Sequence, residues 1–513
     1  MRFFSALLLA AAALSAADWL TFGGDPQRTS WAKEETKITQ ANVGRLDVEW
    51  KLQLPNQAKE LNSLTVPVIV EQVFTPRGVK DVVIVAGALD TLFAVDADTG
   101  RVLWQKQFQV EGQPRQQPNW LCPNALNATP VVEKRRGGLG EKTVHALSSD
   151  GKLHSLNIVN GEDRTPPIQF VPPFSKNWSL NVVEGVLYTA TSQGCNGAKS
   201  GVYAIDLNDP KRPITFFQAS TAGSGIWGRA GVAVGLSGMI YGETGDGPYD
   251  PAANKFADSF LGLTAKELKL ADYYTPSNRE WITKKDLDMG NTSPVVFKYQ
   301  NWDLVAGSGK EGVIFLLDAR KLGGEDHRTP LFRSPLYANE DVDFAGRGFW
   351  GALATWEDAK GVRWLYAPAW GPPASKAPAF AVTHGDAPNG SIMAFKVETS
   401  EGKPVLTPAW ISRDLNVPEP PVVANGMVFA ISSGENVRQL NSAGRLFSSQ
   451  DRATTPAGNA TLYAFDAETG KELFSSGRKM PGFTHFGGLA VAGGRVYVTT
   501  YDSMLYAFGV KGE

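Results

Sequence analysis

Short runs of alternating apolar and polar residues, punctuated by Gly, Asn and Asp, fill the chain from Val66 to its end. That alternation is the signature of half-buried β-strands joined by tight turns. Two stretches repeat one formula: Leu92 to Trp104 reads LFAVDADTGRVLW, and Leu462 to Phe474 reads LYAFDAETGKELF. Each predicts a hairpin in which the turn aspartate (Asp96, Asp466) bonds backbone amides and the turn glycine (Gly100, Gly470) supplies the positive φ of the reversal. The closing aromatic, Trp104 or Phe474, cannot be buried by one hairpin. Repetition therefore implies sheets stacked on one another.

Eight such units follow in order. They open at Val66-Pro67-Val68, at Asn127-Ala128-Thr129-Pro130, within GVLYTATSQGCNG, at GIWGRAGVAV, at NTSPVVF, at FWGALATW, at VPEPPVVANG and at FGGLAVAGG. The last is one strand short, while Val48 to Leu54 near the start is a strand without a unit. Pairing Val48–Leu54 with Leu505–Val510 would close the array into a ring, which removes the exposed sheet edges of an open solenoid. The expected fold is an all-β, eight-bladed β-propeller of four-stranded antiparallel blades. Residues 253–289 and 370–390 are expected to be long loops at one rim, and no helical domain is apparent.

Composition narrows the function classes. Lys and Arg number 50 against 52 Asp and Glu, with no basic stripe, which argues against nucleic acid as partner. The stretch 1–17, one arginine, an apolar run from Phe3 to Leu14 and then Ser-Ala-Ala, reads as a signal peptide, leaving 18–513 as a single domain. No other run is long enough to span a membrane. The mature chain is expected to be periplasmic or secreted. In that compartment the two cysteines, Cys122 and Cys195, are expected to form a disulfide between the second and third blades, the alternative being two buried thiols. The five histidines are scattered; His145 and His154 could face one another across a hairpin, most simply as strand packing.

The AxDxxTGxxxW hairpin, the opening Val43-Gly44-Arg45-Leu46-x-Val48-x-Trp50 and Gly23-Gly24-Asp25 resemble the pyrroloquinoline quinone (PQQ) repeat propellers, among them the eight-bladed quinoprotein alcohol dehydrogenases. The resemblance implies a cofactor site, carried residue by residue. Trp227 in GIWGRAG resembles the indole floor beneath the quinone, where a flat ring gives a tricyclic cofactor a full face of contact. Asp246 in GETGDG resembles the calcium-binding residue of the fourth blade and keeps an oxygen donor. Lys310 in GSGKEG falls where the family places a cation near the quinone oxygens. Trp350 in GFWGAL matches an Asn-Trp pair with Phe349 in place of Asn, and Ser148 in ALSSDG resembles a hydroxyl donor.

Other family positions are changed. The family's adjacent cysteine pair is reduced to Cys122; its first-blade Glu corresponds to Leu64 and the Arg after the cysteines to about Asn127; the third-blade calcium Glu has no counterpart in SQGCNGAKSG. The catalytic Asp corresponds to Ile282, although Asp286 or Asp288 could approach from the same loop. Hydride removal from an alcohol needs a base and a polarised carbonyl, and the sequence does not display both. Two classes stand side by side. One is a propeller that binds PQQ or another small ligand, with calcium, in its central funnel, with or without PQQ-dependent dehydrogenase activity. The other is a noncatalytic scaffold for a periplasmic protein, resembling the outer-membrane assembly propeller.

Overall fold

The computed structural model describes residues 18–134, 142–220, 225–438, 443–445 and 447–511. The expected signal peptide, 1–17, lies outside them. The chain forms an eight-bladed β-propeller with blades of four antiparallel strands. In the first blade Val68–Thr75, Gly78–Gly87, Thr91–Asp96 and Val102–Gln107 pair in chain order. The same up-and-down order recurs in the later blades, and valine, isoleucine and alanine from facing sheets fill the layers between them. Leu46–Gln53 pairs antiparallel with Met504–Val510, with Trp50 opposite Ala507 and Leu52 opposite Leu505, so the N-terminal strand closes the ring as expected.

The repeated hairpin explains how neighbouring blades lock together. The Trp104 indole lies against Gly161 in the turn of the second blade, and its Nε1 donates to the Ile158 carbonyl at 2.8 Å. Trp50 does the same over Gly100, donating to Ala97 at 2.8 Å, and Trp410 over Gly470, donating to Ala467 at 2.9 Å. A Cβ at Gly161 would stand 2.5 Å from the ring, so glycine is required both for its positive φ and for the close approach. Each closing aromatic thus buries its face on the next blade rather than its own.

The stretch expected as one loop, 253–289, proves to hold the outer strands of the fourth blade, Phe260–Leu263 and Leu270–Tyr274. The insertion proper is split around them, into the small hairpin Tyr249–Asp250 with Lys255–Phe256 and a connection containing the helix Arg279–Lys285. Residues Trp19 to Lys37 add only the two-residue strand Trp31–Ala32, parallel to the inner strand of the seventh blade. They run past the inner strands in turn: Trp19 pairs with Ile69, Leu20 accepts from Val132, Thr21 donates to Leu180, Pro26 accepts from Val234, Gln27 from Val296, Thr29 from Thr355 and Ser30 from Val423. Glu35 then accepts from Gly494 of the eighth blade. One segment laces all eight blades. Arg28, 1% exposed, donates to the Val232, Phe22 and Leu180 carbonyls and to the Thr21 hydroxyl.

Candidate functional site

The residues ahead of the inner strands, together with the turns between second and third strands, enclose a cavity of about 520 Å³. Trp227, which precedes Ala233–Val234, and Trp350, which precedes Ala354–Glu357, both line it. So do Lys310, in the turn between Trp302–Ser308 and Ile314–Asp318, and Asp246, beyond Ile240–Glu243. Four side chains scattered across the sequence thus share one space. The Trp227 ring rests on the backbone of Gly245, where a Cβ would stand 2.7 Å from it, leaving the indole half-buried with a face towards the cavity. Trp350 stacks on Trp370 at 4.5 Å, and Phe486 continues the aromatic wall 5.6 Å beyond.

Lys310 stands 5.8 Å from the Trp227 ring and 5.6 Å from that of Trp350. Its Nζ pairs with Asp286 at 3.1 Å and Asp288 at 2.5 Å. Burial works to lower its pKa, but the two carboxylates outweigh that and hold it raised. The helix Arg279–Lys285 sets this geometry: Ile282 is fully buried, and the left-handed residue Asp286 ends the helix so that the next residues turn back to the cavity. Ile282 therefore anchors the helix, and the acids that reach the site are Asp286 and Asp288.

Asp246, Asp286 and Asp288 each offer an oxygen, the three within 4.8 Å of one another. Burial raises Asp286 to about 6, and burial with Asp288 as neighbour raises Asp246. Behind them Asp258, buried and accepting from Thr283 at 2.6 Å, is pushed up to about 7 for the same reasons. Asn291 lines the cavity and its buried Oδ1 has no hydrogen-bond partner among the described residues. An all-oxygen set of this kind suits a hard cation such as calcium.

The cavity also presents residues that the sequence did not single out. Lys176 stands 5.3 Å from the Trp178 ring, and Arg229 lies 5.3 Å from the same ring and 4.3 Å from that of Phe486. Arg229 reaches His485 Nε2 at 3.2 Å, and because a guanidinium can only donate, Nε2 accepts. The imidazole proton then sits on Nδ1, which donates to Glu435 at 2.7 Å. Burial lowers His485 to about 4, so it is neutral here. Gln193 of the third blade, in the SQGCNG stretch, lines the cavity too.

Ser148 does not reach this space. Its hydroxyl donates to Asp150 at 2.5 Å and to the Lys152 carbonyl, closing a turn of the second blade, so it is placed as a turn residue rather than a cofactor contact. His145 and His154 likewise serve packing: His145 bonds Ser155 at 3.0 Å, and His154 stacks on Phe108 at 4.0 Å. Cys122 and Cys195 form the expected disulfide, with Cα atoms 5.5 Å apart, and it ties the loop carrying Trp120 and Leu121, both in the cavity wall, to the third blade.

The family profile described as the glucose, ethanol and alcohol dehydrogenase β-propeller domain matches residues 19–170. Over those residues the chain matches a PQQ-type propeller family. The profile of the outer membrane protein assembly factor BamB matches residues 441–512. No curated protein matches it. Among solved structures it is similar to the quinohemoprotein alcohol dehydrogenase ADHIIG of Pseudomonas putida HK5, at 13% identity over 97% of this chain and 81% of that one, with a TM-score of 0.60. It is similar to a europium-containing methanol dehydrogenase at 13% identity over 96% and 98% (TM-score 0.61). The quinohemoprotein alcohol dehydrogenase of Comamonas testosteroni matches at 14% over 98% and 82% (TM-score 0.55). At these identities the likeness is one of fold, and what the propeller binds rests on its own cavity.

Proposed function

We propose that this propeller, as an exported protein, binds a flat carboxylated quinone of the PQQ class, together with calcium or a similarly hard cation, in its central funnel. The observation that carries the reading is the half-buried Trp227 face resting on Gly245, with the Lys310 ammonium beside it and three carboxylates within 4.8 Å of one another. In this reading Trp227 gives the stacking face, Lys310 a charge for quinone oxygens, and Asp246 with Asp288 the cation ligands. The unpartnered Asn291 Oδ1 supplies a further oxygen. The apolar run of Phe3 to Leu14 and the disulfide favour export to the periplasm or beyond. The test is to add PQQ with calcium, and with a lanthanide, to purified protein and follow the absorbance that co-elutes with it. Stoichiometric retention supports the reading, and no retention with either ion overturns it.

A second reading, PQQ-dependent alcohol oxidation, is favoured by one observation. Asp286 is half-exposed at the cavity, and burial raises it to about 6, in the range of a base that works near neutrality. Bound quinone would supply the two-electron acceptor, and Asp286 would accept the hydroxyl proton of an alcohol. Dye reduction by the loaded protein, lost in Asp286→Asn while PQQ is still retained, would support this activity.

A further inference from the structure

The acidic cluster of the funnel suits a cation, but the same wall also carries Lys176 and Arg229, which no described carboxylate pairs with directly. Lys176 is 9% exposed, its Nζ donates to the Trp120 carbonyl at 3.3 Å, and among the described residues no carboxylate pairs with it. The charge it feels is the like charge of Arg229, which adds to burial in lowering it to about 7. Arg229 is attracted by Glu419 and Glu435 without forming an ion pair to either. Its one described side-chain hydrogen bond goes to neutral His485. The guanidinium lies against the rings of Trp178 and Phe486 in the cavity wall. Buried Lys176 and half-buried Arg229 share the Trp178 ring and repel one another, an arrangement that an anion between them would relieve.

We propose that Lys176 and Arg229 form an anion subsite of the funnel that takes the carboxylate of a small organic acid. The pairing suits that chemistry. A planar guanidinium fork meets a carboxylate with two parallel hydrogen bonds, while the lysine adds a mobile point charge. The site goes beyond the quinone reading and stands without it, because it needs none of Trp227, Lys310 or the three acids. If both hold, the acid side of one cavity receives a hydroxyl and the cation side a carboxylate, which makes hydroxy acids the substrate class.

The experiment uses the full protein with no quinone added and glycolate as probe, read by tryptophan emission, since Trp178 touches both cations. Glycolate should give a saturable change that chloride at equal ionic strength does not. Lys176→Met and Arg229→Gln should each weaken glycolate at least tenfold, and Arg229→Lys, which keeps charge but loses the fork, should weaken it less. Lys176→Met should also keep or raise the melting temperature, because it removes a repulsion, whereas a merely structural lysine would lower it. Identical responses to glycolate and chloride would overturn the proposal, as would unchanged glycolate affinity in both Lys176→Met and Arg229→Gln. If glycolate fails to bind but PQQ retention depends on Lys176, the cations serve the carboxylates of the quinone and the small-acid assignment falls.

Discussion

The two ends of the central channel are built on opposite principles. At one, the segment Trp19 to Lys37 closes the axis with hydrogen bonds to every blade, most of them backbone to backbone, and its one buried cation, Arg28, is met by three carbonyls and a hydroxyl. At the other, Lys176 and Arg229 stay unpaired, acids crowd within 4.8 Å, and aromatic faces remain open to a cavity of about 520 Å³. A laced end in which the buried cation and most backbone groups are paired contributes rigidity. An end with unanswered charge gives up stability and gains the capacity to bind. The same ring of inner strands carries both, so the contrast lies in the residues flanking those strands.

Breaking the laced end should produce the largest effect. Arg28→Met would leave the Phe22 carbonyl without its arginine donor and take one donor each from the Val232 and Leu180 carbonyls and the Thr21 hydroxyl, and losing these four hydrogen bonds should cost about 3 to 5 kcal/mol. Urea unfolding measures it. A loss under about 1 kcal/mol would show that the lace is an ornament of the ring and not one of its fasteners. Next in size is the disulfide, which closes a loop of 73 residues beside the funnel. Replacing Cys122 and Cys195 by serine should cost about 2 to 4 kcal/mol by releasing chain entropy in the unfolded state. Because Trp120 and Leu121 line the cavity, the same change should also weaken ligand retention, which the Arg28 change should not.

How much of this contrast could be read in the sequence differs between the two ends. The blades were legible because Asp-Ala-x-Thr-Gly followed by an aromatic is a local formula, and Trp50 declared itself by matching its final letter. The lace was not legible. Its residues have no periodicity, its bends use left-handed Arg28 and Ser30, and its partners are mostly backbone atoms far away in the chain that leave no side-chain signature. In the funnel, resemblance found Trp227, Lys310, Trp350 and Asp246, but it misplaced Ser148, whose turn resembles a donor site. It did not single out Lys176, Trp178, Arg229 or Phe486, and His485 stood only among the scattered histidines. One signal was available: Trp178, Trp350 and Phe486 stand three, four and three residues ahead of inner strands that begin at Asn181, Ala354 and Leu489. An aromatic in that register faces the channel.

Trp227→Ala separates binding from packing at the open end. The ring is half-buried, rests on Gly245 and shows its remaining face to the cavity, so its loss should weaken a flat ligand by about 1 to 3 kcal/mol. The melting temperature should fall only slightly. A stability loss of about 3 to 5 kcal/mol with ligand affinity unchanged would instead make this ring part of the packing between blades.

The smallest effect is a pH dependence, and it bears most directly on the unpaired cations. Around Lys176 and Arg229 stand His485, Glu435, Arg452 and Glu419. Burial holds His485 neutral down to about 4. Burial works to raise Glu435, but His485 and Arg452 outweigh it and hold it below the usual range, so neither group changes state near neutrality. Lys176 and Glu419 do, both at about 7, the first lowered and the second raised by burial. As pH rises through 7, Lys176 gives up its positive charge and Glu419 acquires a negative one, so both changes weaken a carboxylate ligand. Glycolate affinity should therefore be flat from about pH 5 to 6.5 and then fall, by up to about tenfold per unit for the proton that Lys176 must regain on binding. Lys176→Met should remove the steeper part and leave the shallower Glu419 step, while Glu419→Gln should do the reverse. An affinity that rises through neutral pH would mean that the cations at this end are already paired, and the difference between the two ends of the channel would vanish.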